Sequence, residues 1–282
     1  MSLIALILAL VLERTRHYRS RWFWHELAGH WFTWLPCRHT WSWMLFGIIL
    51  PTSFIALLQW AIQGWLFGFC SLLLWVILPL LVLGCPELQS AFRDYLQLGA
   101  QDPRAACQRF NQKLTHLYPG CASKPLDSLD QTSQFLCWLN FRYYFAVVFW
   151  FSVGGPAFAA GYGLLRSLQR TAIDRPDLGC QLAHIIGLMH CLDWLPSRLS
   201  GLSYVLSSGS FKGFKVWLTS LHNISRANAD WLGSIAMTCR QAHEQKPITC
   251  NEMTIATVHL LKSSLLLTLV IIALLTLYGW LI

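Results

Sequence analysis

The sequence predicts an all-α membrane protein that crosses its bilayer several times, and three observations predict it. Of the 282 residues 55% are hydrophobic and only 12% charged, whereas a soluble domain carries about a quarter charged residues. Four stretches contain no Asp, Glu, Lys or Arg, and each is long enough for a hydrocarbon core of roughly 30 Å, which takes about 20 helical residues. Aromatic residues are plentiful, with 15 Trp, 16 Phe and 8 Tyr. Trp41, Trp43, Trp60, Trp65 and Trp280 stand at or near the ends of apolar runs, where amphipathic rings anchor at headgroup level.

The opening run, residues 2–12, is apolar but about half a span long. It lacks a basic leading region and a small-residue cleavage site, so it reads as a partly inserted or interfacial helix rather than a removable signal. It leads into Glu13-Arg14 and the basic Arg16, Arg19 and Arg21. The first full span is expected over residues 43–61 and the second over 66–84, joined as an antiparallel hairpin through Gln63-Gly64-Trp65. Pro51 and Pro79 fall inside this pair, where neighbouring helices can satisfy the carbonyls that proline leaves free. The third span covers 143–165 and the fourth 263–282.

Two polar regions, 86–134 and 166–262, read as extramembrane or interfacial helical parts of a single membrane domain over 1–282. In the first, Leu88, Phe92, Tyr95 and Leu96 form a helical stripe, and Asp102-Pro103 resembles a cap followed by proline at the first helical position. That helix is expected to stop near Pro119-Gly120. The second region holds 10 of the 21 Lys and Arg residues. If the 63–65 turn faces out, a single crossing by the third span exports Arg166, Arg170 and Arg175, against the positive-inside rule. Gly154-Gly155-Pro156 offers the preferred way out, by breaking the third span into a re-entrant pair.

The net charge of +8 is spread over several loops with no zinc-finger or stacking signature. It points to anionic lipid headgroups, not to nucleic acid. The ten cysteines are scattered singly, without a CxxC pair, and read as thiols. His25-Glu26-Leu27-Ala28-Gly29-His30 nearly spells the zincin motif, but histidines five apart point about 140° from one another on a helix. No metal site is expected, and no cofactor. There is neither a phosphate-binding glycine loop nor a GxSxG elbow, so catalytic residues remain unassigned.

Two places put charge beside lipid. Arg142, near Asn140, stands just before the third span, where a side chain either snorkels to the headgroups or faces a site. The segment Leu192-Asp193-Trp194-Leu195-Pro196-Ser197-Arg198-Leu199 sets an acid, a proline and an arginine in an apolar surrounding. Proline is expected to turn the backbone at Leu195. Asp193 then either caps the following helix and pairs with Arg198, or joins it in holding a carboxylate or phosphate.

The runs LNFRYYFAVVFWFSVGG at 139–155 and LDWLPSRLSGLSYVL at 192–206, with the opening run into Glu13-Arg14 and the final LVIIALLTLYGWLI, resemble the AmpE family over nearly the whole length. The resemblance implies an inner-membrane regulator or sensor linked to induction of AmpC β-lactamase in Gram-negative bacteria, alongside the proteins of cell-wall recycling. That family in turn resembles the membrane synthetase of cobalamin assembly, which joins an aminopropanol unit to a corrin carboxylate with ATP. The shared features are Gly154-Gly155-Pro156 and the PxRL of Pro196, Arg198 and Leu199. The departures are Leu139, Asn140 and Arg142 in place of an acidic stretch, Ser167-Leu168-Gln169-Arg170 in place of TLDS, and Met189 and His190 in place of paired aspartates. Loss of the acids removes the usual equipment for holding magnesium and nucleotide. The expected site is therefore an anion-binding cleft of Arg142, Asp193 and Arg198, with Asn140, Glu13 and Arg14 as further candidates. A ligase acting on a carboxylate is the alternative. A homodimer would suit so few spans, and the absence of ionisable residues from all four makes a transporter the weakest reading.

Overall fold

In the computed structural model of the chain, the structure describes residues 2–15, 24–34, 41–62, 68–83, 86–99, 102, 105–106, 108–110, 112–113, 129–174, 179–223, 227–241 and 250–279. The regular elements among them are all helical: α1 Ser2–Thr15, α2 Trp24–Trp34, α3 Trp41–Ile62, α4 Phe69–Val82, α5 Pro86–Gly99, α6 Leu129–Asn140, α7 Ala146–Asp174, α8 Gly179–Ser208, α9 Phe211–Ser220, α10 Asn228–Gln241 and α11 Cys250–Leu277. A π-helical turn, Phe141–Phe145, joins α6 to α7.

Among the described residues three helical stretches are long and apolar enough to cross a membrane: Leu45–Ile62, Thr132–Ile173 and Thr254–Leu277. Lipid is the solvent that α3 suits, because it exposes Phe54 by 63%, Leu57 by 64% and Trp60 by 73%, a patch that would be a liability in water. The first and last expected spans coincide with α3 and the end of α11. The second is described as α4, only 14 residues or about 21 Å long. The third is longer than its uncharged run, because the polar residues before it are covered by protein instead of lipid. Gln63-Gly64-Trp65, Pro119-Gly120, Arg16, Arg19, Arg21 and Trp280 lie outside the described residues.

The chain divides into two compact units. The first comprises Met1–Gly84, Ala146–Cys191 and Ile271–Ile282. In it α7 is the central helix, packed by α2, α3 and α4, with α1 against α4. The expected break in the third span is present: Gly154 and Gly155 have non-helical backbone inside α7, and Gly155 has φ 70°, a conformation open to glycine at little cost. Pro51 does not interrupt α3. The carbonyl that its missing N–H would have served is that of Gly47, and the Trp31 indole Nε1 donates to it at 2.9 Å. Arg166 is buried and donates from Nη2 to the Val82 carbonyl at 2.8 Å, closing the C-terminal end of α4.

The second unit comprises Cys85–Phe145 and Leu192–Val270. Here α10 packs against α6, and α9 against α10. Ala91, Tyr95, Ala106, Phe110, Phe135, Leu136 and Leu139 form a cluster in its core, with Phe92 packed on it. Tyr95 and Phe92 thus sit where the stripe predicts, while the side chains of Leu88 and Leu96 are outside the described set. Asp102 is a cap as expected, its Oδ1 accepting from Ala105 N at 3.2 Å.

The expected turn at Pro196 is absent. α8 runs as one helix from Gly179 to Ser208 with Pro196 inside it, and Asp193 is accordingly an interior residue, not a cap. Proline removes only the bond to the Leu192 carbonyl, one of many along a helix of 30 residues, and side-chain donors bond two other carbonyls nearby. Ser197 Oγ donates to Trp194 O at 2.7 Å and Trp217 Nε1 to Arg198 O at 3.0 Å.

Candidate functional site

The polar centre of the second unit is built on α8, α10 and the π-helical turn. An inserted residue in a helix widens one turn and redirects its side chains, and such turns recur at functional sites. This one buries Arg142, with Phe141 and Phe145 buried beside it. Trp138 and Phe141 stack with ring centroids 5.1 Å apart, and the Arg142 guanidinium carbon stands 5.3 Å from the Trp138 ring. Asp193 enters from α8, its Oδ2 3.5 Å from Arg142 Nε. Both side chains are buried, at 7% and 2% exposure. Snorkelling, the first reading of Arg142, is therefore not what the side chain does.

Arg198 lies five residues further along α8 and is buried on aromatic faces. Its guanidinium carbon is 3.8 Å from the Trp231 ring centroid and 5.7 Å from that of Trp194, and Nη2 donates to Asn223 O at 3.0 Å. A cation over an indole at that separation is an attractive contact, stronger when shielded from water. Trp231 is held in place by two acceptors, Ser220 O at 3.1 Å and Ser220 Oγ at 2.9 Å. It also depends on Gly201, where a Cβ would come within 2.8 Å of the indole.

Sequence reasoning thus named Arg142, Asp193 and Arg198, and the structure brings the first two into an ion pair and seats the third on the same helix as Asp193. Asn140 is half-buried at the end of α6. Glu13, half-buried, and Arg14, whose side chain is outside the described set, belong to α1 in the first unit. Two participants, Trp231 and Asn223, stand outside the expected set, and so does a further buried charge of the unit, Arg240 of α10. Trp231 is one of 15 tryptophans and stands away from the apolar runs whose end tryptophans mark the belt. Arg240 carried a signal, an arginine in the last turn of a helix of apolar pattern, that was absorbed into the regional charge count.

The described buried charges of this unit are three arginines, Arg142, Arg198 and Arg240, and one carboxylate, Asp193. Guanidinium forks of this kind suit carboxylates and phosphates. No group of three or more His, Cys, Asp or Glu able to hold a metal occurs among the described residues. The HELAGH segment lies on α2, with His30 exposed.

No solved structure matches the chain. A curated relative, Protein AmpE of Shigella flexneri, is 31% identical over 248 residues, covering 83% of this chain and 84% of that protein. The family described as regulatory signalling modulator protein AmpE matches residues 1–282. The chain belongs to the AmpE family.

Proposed function

We infer that this chain is a multi-pass protein of the bacterial inner membrane that modulates β-lactamase induction by binding an anionic ligand, or an acidic surface of a cell-wall recycling partner, at Arg142, Asp193 and Arg198. The observation that carries this reading is the buried charge among the described residues of the second unit, three arginines against one carboxylate. Ionisable side chains in a low-dielectric setting are costly, and where they occur they mark function by default. In this topology α4 supplies a fourth crossing.

The test is Arg198→Met in an AmpC-inducible strain in which this chain is the only family member. Arg198→Ala would leave a cavity beside Trp231, so the longer apolar side chain is the better probe. Induction by a β-lactam is expected to be lost or flattened while an immunoblot finds normal protein in the membrane fraction. Normal induction at normal protein level would remove Arg198 from the site.

A further inference from the structure

Among the described residues, α9 carries a face that is left exposed and that the proposed site does not use. Ser210 starts the helix by accepting from Gly213 N at 3.0 Å. Gly213 is buried so closely that a Cβ there would come within 2.6 Å of Cys239 Sγ. Trp217 and Ser220 bond to Arg198 and Trp231 respectively. At about 100° per residue, Gly213, Trp217 and Ser220 share one side of the helix, which is the side docked on α8 and α10.

The far side is apolar and open. Phe211 is 82% exposed, Leu218 56% and Phe214 40%, and their spacing of three and four residues makes one stripe. Lys212 and Lys215, both exposed, line the flank next to it. A short helix pinned on one side, with an aromatic and aliphatic stripe on the other and lysines along its edge, has the composition of an element lying in a membrane interface. Lysines at that depth favour acidic headgroups over zwitterionic ones.

We propose that α9 is an in-plane anchor that seats Phe211, Phe214 and Leu218 among acyl chains and binds acidic phospholipid headgroups through Lys212 and Lys215. The Arg198 carbonyl and the Trp231 indole both bond to the docked side of this helix, so the anchor ties the Arg198 centre to the lipid surface.

The experiment uses the full chain in nanodiscs mixing phosphatidylcholine and phosphatidylglycerol in equal parts. A photocrosslinking residue replaces Phe211, and a second sample carries it in place of Phe54 on α3. Mass spectrometry of the adducts is expected to find lipid at both positions, with phosphatidylglycerol favoured about threefold or more at 211 only. Lys212→Gln with Lys215→Gln is expected to bring the ratio at 211 back to parity while the ratio at 54 stays unchanged. Equal capture of the two lipids at 211, capture of a second copy of the chain there, or absence of lipid adducts at 211 would each overturn the proposal.

Discussion

Removing the charge of Asp193 tests whether the Arg142 pair holds the second unit together. At 3.5 Å and an effective dielectric of about 20, the Coulomb attraction is roughly 5 kcal/mol. Breaking one partner of a buried pair costs about 3 to 5 kcal/mol, chiefly because the survivor stays buried and charged. Asp193→Asn is nearly isosteric and leaves Arg142 as that survivor, and a guanidinium does not deprotonate. Arg142→Met leaves a carboxylate instead, and a buried carboxylate that has lost a counter-charge can escape by taking up a proton. The two single variants are therefore expected to differ, with Asp193→Asn the worse. Its unfolding midpoint in detergent, followed by intrinsic fluorescence, is expected to fall by about 10 °C, taking roughly 2 to 4 °C per kcal/mol. The double variant has no charge to strand and is expected to recover at least half of that loss. A double variant as unstable as the sum of the two singles would refute the reasoning, since the groups would then be acting independently.

Three further outcomes follow from particular contacts. Arg166→Leu removes the donor to Val82 O and is expected to destabilise by about 1.5 to 3 kcal/mol, the range for bonds to charged groups; hydrogen exchange should rise first at the end of α4. Trp31→Phe strips Gly47 O of its donor at a cost of about 1 kcal/mol, and adding Pro51→Ala, which restores the backbone N–H, is expected to regain most of it in the same melt. Cys239 is buried against α9, and burial holds its thiol above the ordinary value of 9.0 despite a hydrogen bond from Ser208. The folded chain thus keeps a proton that the unfolded chain releases as pH rises past that value, so this group's contribution to stability declines in alkali. Maleimide labelling of Cys239 in sealed vesicles is expected to be slow from either side until the protein is unfolded.

That last outcome bears on what the sequence could disclose. Cys239 lies in the polar region 166–262, where nothing in its sequence neighbours tells a buried amphipathic helix from an exposed one. The lipid-facing helices were legible for a physical reason: with lipid on most of the surface, every turn must be apolar, and the uncharged runs near 43–61 and 263–282 mark α3 and the end of α11. The third span was legible only in part. Thr132 and Ser133 are buried by protein, so a criterion that stops at polar residues ends too early. Gly154-Gly155 was readable as a break because a left-handed backbone needs glycine, whereas Pro196 misled, since the loss of one backbone donor is a local penalty inside a helix of 30 residues.

Whether the buried charges serve stability or recognition turns on a contrast between two arginines. Arg166 donates to a carbonyl at a helix terminus, Val82 O, where any donor of suitable length would satisfy the helix end. Arg142 sits across from a carboxylate that is itself buried, and a buried pair is generally no more stabilising than apolar residues of the same shape. If stability were the whole account, the charge-free double variant would be stable and would also keep regulating. A double variant that folds, reaches the membrane and fails to respond to β-lactam places the pair in recognition. One that folds and responds leaves Arg198 and Trp231 to carry the site alone.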